Sequence, residues 1–264
     1  MNKAIIKYYD LIRELAITDF KLKYQGSVAG YLWSLAKPLM IFGVLYMVFN
    51  VFVKIGSSMS HYPLYLLLGV ILWTYFAETT SVGMRAIVDR GDMIRKVYLP
   101  KIVLVISASV SAFITLLLNL VVVFVFMVFA KIIPAPQNII IFILLIIELY
   151  ILALGISLIL SSLYVKYRDV SHIWDVLIQI LFYASPIIYP LAIVPLKFQK
   201  IIILSPITQI IQDSRFLLIT NQTTISSTVW HGPIIIISYL LPVIIFIVGF
   251  KFFNNAANKF AEEV

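Results

Sequence analysis

The stretch GDMIRKVYLPK, residues 91–101, concentrates charges of both signs between two long apolar runs. With the residues before it, Arg85, Asp89, Arg90, Asp92, Arg95, Lys96 and Lys101 fall within one short interval. Met93, Ile94, Val97 and Tyr98 lie among them and form an apolar patch. Asp92 stands where it can cap a short helix after the break at Gly91. Pro100 suits the first turn of the next helix. A loop that only fixed membrane orientation would need lysine and arginine alone. The added acids, cap and apolar patch suit docking on another protein.

Two further acids, Glu78 and Glu148, fall inside apolar runs. A charged group in a bilayer costs a few kcal/mol, so each needs compensation. Glu78 lies near the end of its run and is expected to reach water. For Glu148 two readings stand: it lines a watery path or proton relay, or it is protonated or paired within the bundle. Asn119 and Gln179 suit hydrogen bonds between helices, and Asp175, beside Trp174, suits the interface.

Other chemistries find no support. The absence of cysteine removes disulfides, thiolate metal sites and a cysteine nucleophile. His61, His172 and His231 are far apart, so no metal site is expected. No G-x-x-x-x-G-K-[ST] phosphate loop occurs. If ATP drives this protein, another chain must bind it. A membrane enzyme, such as a glycan-lipid transferase, would need clustered acids or a metal site. The nearest acid pair, Asp89 and Asp92, sits among cations.

Aromatic residues make up 14% of the chain. Tyr31, Trp33, Tyr46, Phe49, Trp73 and Tyr75 crowd two apolar runs, and Tyr183 and Tyr189 flank a proline-rich break. They suit an interfacial belt and ordinary packing. They would also suit a stripe on which the apolar faces of sugar rings slide.

These residues must be held by membrane helices. The 264 residues are 62% hydrophobic and 12% charged, with a mean hydropathy of +1.05. A soluble domain carries about 25% charged residues, so the class is an all-α polytopic membrane protein. Six spans of adequate length are predicted at about 31–53, 63–84, 102–130, 138–164, 174–193 and 232–253. Residues 1–30 begin with helical amphipathic spacing and suit an interface helix. Prolines 186, 190 and 195 end the fifth span. Within 191–219, two apolar pieces too short to cross are read as re-entrant or outer-face helices.

The net charge of +8 carries topological meaning in such a chain and implies no nucleic acid. With both termini inside, the cytoplasmic side holds fifteen Lys and Arg and the opposite side five. The N-terminus does not read as a cleavable signal. All 264 residues are read as a single transmembrane domain.

Several stretches, in order, resemble the membrane subunits of type-2 ABC exporters of polysaccharide or polyol phosphate, as in O-antigen, capsule or teichoic-acid export. They are LIRELAITDFKLKYQGSVAGYLWSLAKPL, DMIRKVYLPK, YRDVSHIWDVLIQILFYASPIIYP and LSPITQIIQDSR. Ser205 departs from the asparagine common before that proline. The resemblance implies an inner-membrane homodimer with two cytoplasmic ABC ATPase subunits, which hold the ATP and Mg2+. The substrate implied is a lipid-linked polysaccharide of the kind used in lipopolysaccharide biosynthesis. It makes 85–99 a coupling helix seated on the ATPase, and the aromatic set a candidate channel lining. A type-2 exporter of a drug or lipid is the alternative with the same fold.

Overall fold

The structure is a computed structural model that describes residues 3–23, 30, 32–96, 99–230, 234–258 and 260. Tyr31 and Tyr98 lie outside the described residues, as does most of the 24–31 bend. The described residues are helical, without strands. Five helices are long and apolar enough to cross a membrane, and a bent pair raises the number to six.

Helix α1 (Lys3–Lys23) precedes α2 (Leu32–Tyr46), which continues as a π-helical stretch to Phe52. Pro38 sits inside α2. Lacking an N–H, it frees the Ser34 carbonyl four residues earlier. Asn119 Nδ2 of a neighbouring helix donates to that carbonyl at 3.2 Å, so the break in the ladder becomes a contact between helices.

Helix α3 (Tyr62–Arg85) is the central post, with 72% of its most apolar window buried against 6% for α2. It packs on α5 (Ile102–Phe129) and α6 (Pro136–Lys166). Between α3 and α5, a single 3-10 turn at Val88–Arg90 leads into the six-residue α4 (Gly91–Lys96). Asp92 lies in the first turn of α4, after the helix has begun at Gly91, rather than capping it.

Helix α7 (Val170–Ala184) covers 15 residues. At 1.5 Å per residue it reaches about 22 Å, short of the roughly 30 Å hydrocarbon core. The predicted span at 174–193 is therefore not one continuous helix. Ser185 is extended, and the prolines beyond it prevent helical continuation. Helices α8 (Leu196–Ile202) and α9 (Pro206–Leu218) follow, bent by 104° at their junction. After the one-turn α10 (Ser226–Val229), α11 (Ile234–Ala257) packs closely along α6. Gly155 makes that approach possible: a Cβ there would lie 2.7 Å from the Phe246 backbone.

Two apolar clusters organise the bundle. The larger joins α3, α5, α6, α7 and α9. The smaller lies where α4 sits and joins Ile87, Ile94, Leu104 and Phe253 to Phe260, with Leu15 of α1 packed against it. Thus Leu15 of α1, Ile94 of α4, Phe253 and Phe260 meet at one end of the bundle.

Candidate functional site

A cleft of about 880 Å3 opens between α2, α3, α5 and α7, with the end of α1 at its mouth. Helical spacing puts its lining on single faces: Trp33, Lys37 and Ile41 on α2, and Tyr75, Glu78 and Val82 on α3. On α7, Asp175, Gln179 and Phe182 do the same. Trp174 Nε1 donates to Thr80 Oγ1 at 3.1 Å, fixing α7 against α3.

The cleft gathers part of the aromatic set. Trp33, Trp73, Tyr75 and Tyr183 line it. Trp73 and Tyr75 are buried in its inner wall, whereas Trp33 and Tyr183 are exposed. Phe182, not singled out from the sequence, meets Trp73 edge-on at 5.8 Å. Tyr46 and Phe49 are not in the cleft; they pack against the core, and Tyr46 stacks on Phe42 at 5.8 Å. The Tyr189 hydroxyl donates to the Tyr183 and Ala184 carbonyls, each at 3.2 Å, and so holds the proline break in place.

The mouth is charged. Lys23, Lys37, Glu78 and Asp175 all line the cleft. Glu78 forms an ion pair with Lys23 of α1, which is its compensation. Sequence pattern shows the charge of Glu78 but not its partner, 55 positions away. One turn before Lys23 on α1, Asp19 pairs with Arg90, which also donates to the Leu104 carbonyl at 3.5 Å.

The charged knot separates into two faces. Ile94 is buried, and Arg90 is half-buried against α1. Arg85, Asp89, Asp92, Arg95 and Lys96 are exposed, with Met93 half-buried between the faces. The short helix is therefore anchored by one apolar side and presents mixed charge on the other. Nearby on the next connection, Lys166 lies over the Tyr167 ring and Arg168 over the Tyr164 ring, at 5.2 and 5.3 Å.

Away from the cleft, a buried polar group joins α9 to its neighbours. Arg215 has no exposed surface. Its guanidinium donates to the carbonyls of Tyr65, Pro186 and Ile187 at 2.9, 2.6 and 2.7 Å, and to Gln212 Oε1 at 3.2 Å. It also stacks 3.6 Å from the Tyr65 ring centroid. Gly69 leaves the room, since a Cβ there would collide with the guanidinium. Five donors in a planar fork suit such a set of carbonyls. Asp213 accepts from Gln209 at 2.9 Å and from Tyr239 of α11 at 2.6 Å. Glu148 is half-buried on α6, and its Oε1 has no hydrogen-bond partner among the described residues. Among the described residues no group of three or more His, Cys, Asp or Glu could hold a metal ion.

Residues 10–219 match the family described as ABC-2 type transporter. Two Klebsiella pneumoniae proteins named O-antigen export system permease protein RfbA are 27% and 28% identical to this chain. Each match covers 254 residues, 96% of this chain and 95% of the relative. A Myxococcus xanthus protein of the same name is 27% identical over 191 residues, 72% of each chain.

Proposed function

The chain belongs to the ABC-2 type transporter family, and from that premise we propose that it is the membrane subunit of an ATP-driven exporter of lipid-linked polysaccharide. The observation that carries the reading is the near full-length similarity to O-antigen export permeases. The aromatic cleft is consistent with it, because exposed Trp33 and Tyr183 beside buried Trp73 and Tyr75 offer ring faces to sugar C–H surfaces.

Two copies face each other in the inner membrane with both termini cytoplasmic, and their clefts contribute to one path. Two ABC ATPase subunits bind below and hold the ATP and Mg2+. The exposed face of α4, with Arg85, Asp89, Asp92, Arg95 and Lys96, seats in the ATPase as a coupling helix. Its buried face, through Ile94 and the cluster around Phe253 and Phe260, passes ATPase movement to α1, α5 and α11. The bent pair α8–α9 caps the far end as a re-entrant element.

The test is gentle purification of the tagged chain from its native membrane, followed by mass spectrometry of what travels with it. An ABC ATPase and a lipid-linked glycan are expected. An intact ATPase complex carrying a drug-like or simple lipid cargo in place of glycan would overturn the polysaccharide assignment. Absence of any ATPase from a preparation that keeps complexes together would overturn the coupling role of α4.

A further inference from the structure

Helix α9 is held from two sides by different chemistry. Toward α3 and the proline break, Arg215 is committed to the Tyr65, Pro186 and Ile187 carbonyls, and the Tyr65 hydroxyl donates to Gln212 Oε1 at 3.2 Å. Toward α6, α10 and α11, it presents Gln209 and Asp213, four residues apart on one helix face. Glu148 of α6 lies beside the Gln209 amide and feels the Asp213 carboxyl. Tyr239 of α11 donates to Asp213, and the Ser226 N–H of α10 faces the same group. The groups that bear on the two carboxyls are thus Gln209, Tyr239, Ser226 and each other, none of them positively charged.

Donors and acceptors do not balance on this side. Gln209 Nε2 and the Tyr239 hydroxyl both meet one oxygen, Asp213 Oδ2, at 2.9 and 2.6 Å. Asp213 Oδ1, Glu148 Oε1 and Gln209 Oε1 are left as buried oxygens that can only accept and that find no donor. The Ser226 hydroxyl is 1% exposed and also makes no hydrogen bond. A surplus of buried acceptors is costly. Two neighbouring carboxylates in a site of low dielectric resist being charged together. One proton answers both demands: it removes one negative charge, and it turns one carboxyl oxygen from acceptor into donor.

We propose that Glu148 and Asp213, joined through the Gln209 amide, form a proton-binding site, and that the single proton held by this pair fastens α9 to α6 and α11. The proton comes from water; Glu148 is half-buried and Tyr239 is exposed, which leaves a way in. It belongs to the pair rather than to either residue. Arg215 keeps its charge at any ordinary pH, whereas the pair does not. Helix α9 is therefore fixed permanently on one face and releasably on the other, tight with the proton bound and looser as pH rises and the proton leaves. The inference goes beyond the exporter reading and holds whatever the cargo.

The full chain is purified in lipid nanodiscs. Infrared spectroscopy reads its protonated carboxyl groups, and amide hydrogen exchange, corrected for the intrinsic effect of pH, follows the α9 backbone. At mildly acidic pH the wild type is expected to show a protonated-carboxyl band that Glu148→Gln and Asp213→Asn each remove or shift. Between mildly acidic and alkaline pH, protection of α9 should fall about tenfold, the effect of losing one hydrogen bond to a charged group. Glu148→Gln and Asp213→Asn each place a permanent amide donor where the proton would be, so both should keep that protection across the range. Both are near-isosteric, and if one does not fold the other still reports. A wild type without the band, or a band that neither substitution changes, overturns the proton site. Protection that falls alike in the wild type and the amide variants overturns the fastening role. Protection that follows sodium concentration in place of pH makes the ligand a metal cation and overturns the proton assignment.

Discussion

Arg215 is the residue on which the far half of the bundle depends. Besides the Tyr65 carbonyl of α3, its guanidinium satisfies two carbonyls in the proline break that lie outside any helix, those of Pro186 and Ile187. Replacement by methionine leaves those acceptors buried and unpaired, at about 1–3 kcal/mol each by the usual cost of a lost partner. The expected result is a marked fall in the melting temperature of the purified protein. Arg215→Lys is expected to rescue little, because one ammonium cannot reproduce a planar fork. Gly69→Ala, whose Cβ meets the guanidinium, should reproduce the loss. Stability of wild-type level in Arg215→Met would contradict this role of Arg215. Sequence pattern reveals an arginine in a short apolar segment, which reads there as a charge on the outer side. It does not reveal which carbonyls a broken backbone exposes, so Arg215's partners are legible only in the fold.

At the scale of elements, α4 has one buried face and one exposed face. Three exposed charges, Asp92, Arg95 and Lys96, lie on the face turned away from the bundle. Replacing them together with alanine leaves the buried Ile94 anchor intact and so should leave the membrane fold intact. The expected outcome is an assembled complex whose ATP hydrolysis no longer drives export, measured as ATPase activity and surface polysaccharide side by side. Normal export by this variant would remove α4 from the coupling step. The position of α4 was readable from the charged knot because charge between two spans is conspicuous. The facing of the knot's charges was not: Arg90, in the turn before α4, looked equivalent to Arg95 in sequence, yet it turns inward to Asp19 of α1. The fifth span shows the opposite limit. Its apolar composition predicted a full crossing, but the prolines at 186 and 190 stop the helix after Ala184.

At the scale of the whole molecule, the helices differ in what they are built to touch. The central α3 is wrapped on most sides, whereas α2 and α11 keep most of their apolar surface exposed, at 6% and 17% buried in their most apolar windows. In water such surface would aggregate; in a bilayer it meets lipid or a second copy. Membrane class and the approximate bounds of five spans were legible because hydropathy and length alone decide them. The cleft was not, because it depends on which faces of α2, α3, α5 and α7 come together. Four of the eight aromatic candidates meet there, while Tyr46 and Phe49 serve packing. Deletion of the gene tests the proposed path for a lipid-linked glycan most directly. Cells lacking the chain should lose surface polysaccharide and accumulate lipid-linked glycan on the cytoplasmic side, with both effects reversed by the intact gene. Unchanged surface polysaccharide, with no glycan accumulating inside, would contradict the assignment.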